Sequence, residues 1–99
     1  MTVKPWPFRD PPNLAVIVHR NIISGEKAIA LVTHDVDDGG WQFLSDEIGP
    51  LNESDGMVVG LGQIVTRDPS LMTLANLPVG WRAWRPSKDA PWQRSKSRG

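Results

Sequence analysis

The sequence predicts an α+β fold: a small, mainly antiparallel sheet of four to five strands with two short helices on one face. Two observations predict it. Short apolar runs, β-branched or alternating and separated by Gly and Asp turn signals, fill the first half of the chain. Helical spacing appears only later, at Leu61, Ile64 and Val65 and again after Asp68-Pro69.

The elements follow in order. Residues 1–12 read as an arm, because Pro5, Pro7, Pro11 and Pro12 bar regular helix and favour extended backbone. Trp6 and Phe8 are placed to staple that arm onto the body. Residues 13–86 form the single domain. Its first strand is Leu14 to Val18, a continuous run short enough to be a central strand covered on both faces. Ser24-Gly25 turns the chain. The run Ala28 to Thr33 is spaced to be the antiparallel partner of the first strand. Asp35, Asp37, Asp38, Gly39 and Gly40 then make a loop, since Gly takes positive φ at little cost and Asp bonds its own backbone. In the third strand, Trp41 to Leu44, Trp41 and Phe43 share one face and Gln42 takes the other. Ser45 to Gly56 is polar and irregular, and Met57 to Val59 makes a short strand. A helix carries Leu61, Ile64 and Val65. Asp68 caps a second helix with Pro69 in its first turn, so that Leu71 and Leu74 face inward. A final strand runs from Gly80 to Arg85. Residues 87–99 read as a basic, flexible tail.

Composition narrows the function classes. Ninety-nine residues make one domain with one modest core. Cysteine is absent, so no disulfide or thiolate nucleophile is available, which fits a reducing compartment. The arm lacks the apolar stretch of a secretory signal, and no run is long enough for a membrane span. A soluble, cytoplasmic protein is expected. Five Trp and two Phe with no Tyr make tryptophan the main source of aromatic core or contact surface. Net charge is zero, yet residues 26–55 carry a net −7 and residues 82–99 a net +5. Such segregation suits an electrostatically guided contact.

Each candidate chemistry is incomplete. Asp35, Asp37, Gly40 and Asp46 match positions of a calcium-loop template, but Gly39 supplies no side-chain oxygen where a ligand is needed, and strands rather than helices flank the loop. His19 and His34 end strands without a motif that would orient them, and Ser24, Thr33 and Ser45 lack a nucleophile elbow. Gly60-Leu61-Gly62 is only a fragment of a phosphate loop. No catalytic, cofactor or metal set emerges. A small hydrolase or metal-dependent enzyme therefore stays an alternative without named residues. A nucleic-acid accessory protein is another alternative, because Arg82, Trp84, Arg85, Lys88, Trp92, Arg94, Lys96 and Arg98 interleave bases with aromatics. Zero net charge and the acidic middle weigh against it. Protein binding is the expected class. Trp84, on the outer face of its strand, and Trp92, in the tail, are candidate surface anchors. Asp35, Asp37, Asp38, Asp46 and Glu47 are the candidate acidic contacts for a basic protein partner. Trp41 and Trp81 are assigned to the core.

Asp38-Gly39-Gly40-Trp41-Gln42-Phe43-Leu44-Ser45-Asp46-Glu47 resembles a small bacterial domain family of unknown function, similar to the immunity-protein-thirty-three-like group of polymorphic toxin systems. The apolar strand Ala15-Val16-Ile17-Val18, the Asp68-Pro69 pair and the closing Pro78-Val79-Gly80-Trp81 fit the same pattern, over roughly residues 14–86. Gly39 departs from it, since the family usually has Ser before Gly-Trp, and Ser45 runs directly into Asp46 where a Gly often intervenes. The resemblance implies an α+β fold and a non-enzymatic role in neutralising a toxin partner. It carries over no catalytic residue and no cofactor.

Overall fold

The computed structural model describes residues 6–46 and 53–96. Its strands are β1 (Ala15–His19), β2 (Leu31–His34), β3 (Trp41–Leu44), β4 (Gly56–Gly60), β5 (Trp81–Trp84) and β6 (Gln93–Lys96). Its α-helices are α1 (Arg20–Ile23) and α2 (Leu61–Arg67), with 3₁₀ turns at Glu53–Asp55 and Pro69–Leu74. The strands form one six-stranded sheet in the order β4-β1-β3-β2-β5-β6.

The α+β class holds, but the sheet is mixed. β1 and β3 are parallel, with Val18 beside Phe43, while the other four pairings are antiparallel. The expected pairing of the first two strands does not form, because β3 lies between them. The physical reason is in the connection. Residues 20–30 do not close a hairpin; they form α1 and bury Ile22 and Ile29 in the core. The chain thus returns two strand positions away, and Phe43 fills the gap between Val18 and Val32. β3 reaches that position through a true hairpin from β2.

Alternation along each strand sorts the residues onto two faces. Val16, Val18, Val32, Trp41, Phe43 and Ala83 point inward and are buried. They meet Leu61, Ile64 and Val65 of α2, Leu71 and Leu74 of the second 3₁₀ turn, Leu77, and Phe8 of the arm. Each fully buried Val, Leu, Ile or Phe contributes about 1.5–3 kcal/mol relative to exposure, so this single layer accounts for most of the stability. The expectation that β1 is covered on both faces is corrected: Ala15 is exposed, and Ile17 and His19 are half-buried.

Local chemistry sets the helix ends. The Gly60 N–H donates to Gln63 Oε1 at 2.8 Å, and Gly62 sits so close to the arm that a Cβ there would lie 3.0 Å from Pro12 Cβ. The glycine pair therefore serves packing. Asp68 caps the Pro69–Leu74 turn as expected, its carboxylate accepting from the Ser70 N–H.

Trp6 and Phe8 take the stapling role expected of them, whereas the segment expected to be a tail contains a strand. Trp6 and Phe8 pack with 5.3 Å between ring centroids, and the Trp6 indole donates to the Asp10 carbonyl, so this part of the arm belongs to the folded body. In the segment read as a flexible tail, Gln93–Lys96 form β6 against β5.

Candidate partner-binding surface

The acidic run is the β2–β3 hairpin loop. The Asp35 N–H donates to the Gly40 carbonyl at 2.8 Å, and the Gly39 N–H returns to the Asp35 carbonyl at 2.9 Å. Two carboxylates are used inside the loop. Asp35 Oδ1 accepts from the Asp37 N–H at 2.8 Å, and Asp38 Oδ1 accepts from the Gly40 N–H at 2.7 Å. Gly39 has φ +71°, a conformation that costs a side-chain-bearing residue. Asp37 and Asp38 are exposed, Asp35 is half-buried, and none of the three makes an ion pair among the described residues.

The loop stands on an aromatic root. Trp41 is 2% exposed. Its indole N–H donates to Asp10 Oδ2 at 2.9 Å. Its ring meets Phe8 edge-on at 5.4 Å and stacks on His34 at 3.9 Å. The His34 Nδ1 lies 2.7 Å from the Leu77 carbonyl and its Nε2 3.1 Å from the Gly39 carbonyl. One ring thus ties the acidic loop to the loop before β5. A cleft of about 560 Å³ opens there, bordered by Arg9, Asp10, His34, Trp41 and Val79.

The other expected contacts do not join this surface. Asp46 lies beyond the far end of β3 and pairs with Lys27 at 3.4 Å. The span of β3 separates it from the hairpin acids by roughly 15 Å of extended chain. Glu47 lies outside the described residues. Trp84 is 45% exposed, but on the outward face of the sheet. Trp92 is half-buried and engaged within the domain. Its indole donates to Ser70 Oγ at 3.1 Å, and the Arg85 guanidinium sits 4.2 Å over its ring.

Arg85, read as part of a basic surface, is buried at 4% exposure and organises a network. Its Nε donates to the Ile29 carbonyl at 2.9 Å, its Nη1 to Ser70 Oγ at 3.1 Å, and its Nη2 to Asp68 Oδ2 at 2.5 Å. Burial pushes the Asp68 carboxyl up, but the hydrogen bonds from Ser70 and the charge and hydrogen bond of Arg85 outweigh it and hold the group below its ordinary value. The sequence signal for this pair was thin: an Asp before Pro and an Arg ending an alternating strand. Arg94 is also engaged, donating to Asn76 Oδ1 at 2.7 Å and to the Thr73 carbonyl.

Of the residues weighed for catalysis, His19 and Ser24 border one pocket, and His19, Ser24 and Ser45 each hydrogen-bond to Asn21, while His34 stands apart. His19 and His34 end strands at opposite ends of the sheet and on opposite faces. Ser45 Oγ accepts from Asn21 Nδ2, and Ser24 Oγ donates to the Asn21 carbonyl. Among the described residues no three His, Asp or Glu gather as a metal site, and no helix is long and apolar enough to cross a membrane.

No protein-family model matches this chain, and no curated protein or solved structure is significantly similar to it.

Proposed function

We propose that this chain is a non-enzymatic, cytoplasmic protein-binding module whose acidic β2–β3 hairpin faces a basic protein partner. The neutralising, immunity-type role implied by the Gly40-Trp41-Gln42-Phe43 resemblance is the form of binding we favour. One observation carries the reading: Asp37 and Asp38 project from a loop whose root, Trp41, is sealed by Phe8, His34 and Asp10. A rigid root presents the carboxylates without an ordering cost at the moment of contact. Exposed acids of this kind raise the association rate and set its salt dependence. The nucleic-acid alternative is weaker on the same geometry, since Arg85, Trp92 and Arg94 are engaged within the domain.

The test is a pull-down from extract of the native host with the full chain and with Asp37→Asn/Asp38→Asn. The proposal expects a basic protein to be retained at low ionic strength. That protein should be lost both in the double variant and at roughly 0.5 M salt, where charge attraction is screened within a few ångströms. Equal retention in all three conditions would refute the role of the hairpin.

A further inference from the structure

We propose that the outward face of the sheet is the docking surface for a second copy of this chain. The register places Val58, Ile17, Gln42, Thr33, Arg82 and Ser95 in one row across the six strands, with Leu44, Leu31 and Trp84 in the next. Not one outward-pointing residue of the six strands is buried, and Val58 and Trp84 are 67% and 45% exposed. The helices, the arm and Leu77 all pack on the opposite side.

A face that meets only water carries polar and charged residues at its outward positions. This one is depleted of charge: Arg82 is the only Lys, Arg, Asp or Glu at the outward positions of the strands, in a chain that is 22% charged. Loss of charge around an exposed tryptophan and aliphatic side chains is the composition of an interface centre. Arg82 is turned toward the margin, where its Nε donates to Ser95 Oγ of β6 at 3.3 Å.

Charge narrows the choice of occupant. A basic partner would find no carboxylate on this face, and a polyanion would find one guanidinium. A second copy of the same face brings an equally neutral, equally pleated surface and no repulsion. Two such sheets pack about 10 Å apart. Six strands of four to five residues span roughly 25 by 15 Å, so two copies would bury about 750 Å² together. That lies below the size of stable interfaces and fits a weak, transient dimer that forms only as concentration rises. The surface is distinct from the acidic hairpin, so the two proposals stand or fall separately.

Sedimentation equilibrium on the full chain tests it. The weight-average mass should climb from that of the monomer toward twice that value as concentration rises. Trp84→Lys and Val58→Lys should each hold the chain monomeric over the same range with an unchanged far-ultraviolet spectrum, because both side chains are already exposed. Asp37→Asn/Asp38→Asn should dimerise like the parent. A chain that stays monomeric throughout would overturn the proposal. So would a dimer that survives both lysine variants. A monomer that binds a uridine-rich single-stranded RNA probe, and loses it in Trp84→Ala, would overturn it in favour of a base-stacking face.

Discussion

The Asp68–Arg85 pair shows how one buried guanidinium can hold several elements. It joins the start of the second 3₁₀ turn, the carbonyl of Ile29 and the ring of Trp92. Removing Arg85 leaves a partly buried carboxylate without its partner, so Arg85→Met should cost about 3–5 kcal/mol in urea unfolding. The pH dependence has a definite sign. The folded Asp68 carboxyl titrates below its ordinary value of 3.8, so its stabilisation is fully present above that value and is lost as pH falls through the lower folded value. Asp68→Asn should flatten this acid limb in unfolding midpoints measured from neutral pH downward. Trp41 is the second residue on which much depends. Trp41→Ala should cost about 3–5 kcal/mol, the usual loss for a buried large aromatic. Asp10→Ala strands the indole N–H and should cost about 1–3 kcal/mol. It should also make the arm cleavable under limited proteolysis before the body unfolds.

The hairpin and β6 are the two elements whose roles the structure separates. In the hairpin, Gly39 sits at positive φ, so Gly39→Ala should destabilise by about 1 kcal/mol. Asp37→Asn should leave stability nearly unchanged, since its carboxylate is exposed and outside the loop's own hydrogen bonds. Thermal unfolding of the two variants distinguishes the scaffold of the loop from its cargo of charge. β6 is the outer strand beside β5, and Trp92 leads into it. Deleting residues 87–99 removes the ring under Arg85 and bares the β5 edge. The truncated chain should unfold at lower denaturant concentration and aggregate on standing, which light scattering would report.

At the scale of the whole molecule, the design is one sheet with one face covered and, among the described residues, the other face open. The buried apolar cluster gathers on the helix side. The open face and the acidic hairpin then offer two chemically different surfaces, one neutral and one negative. This division was only partly legible. The segregation of acids and bases pointed to an electrostatic surface, and the hairpin half of it stands at the exterior. The basic half is a surface only in part, because Arg85 is buried against Asp68 while Arg82, Lys88, Arg94 and Lys96 are exposed. Asp46 could not be separated from the hairpin acids by spacing alone; the strand between them carries it to the other end of the sheet.

Local chemistry in the chain determined several features unaided. Alternation in Trp41-Gln42-Phe43 fixes which side chains enter the core, Asp with Gly makes the β2–β3 loop, and Asp68-Pro69 starts the 3₁₀ turn. These are near-neighbour effects, in which residues a few positions apart set each other's backbone. Only tertiary structure decided the parallel β1–β3 pairing, the capture of Trp92 by Arg85 and Ser70, and the strand made by Gln93–Lys96. Each depends on which surface is left unpaired after the rest of the chain has packed. An open strand edge accepts any chain of suitable length, and a buried guanidinium draws in whatever ring and carboxylate are nearest, so neither partner is written into its own neighbourhood.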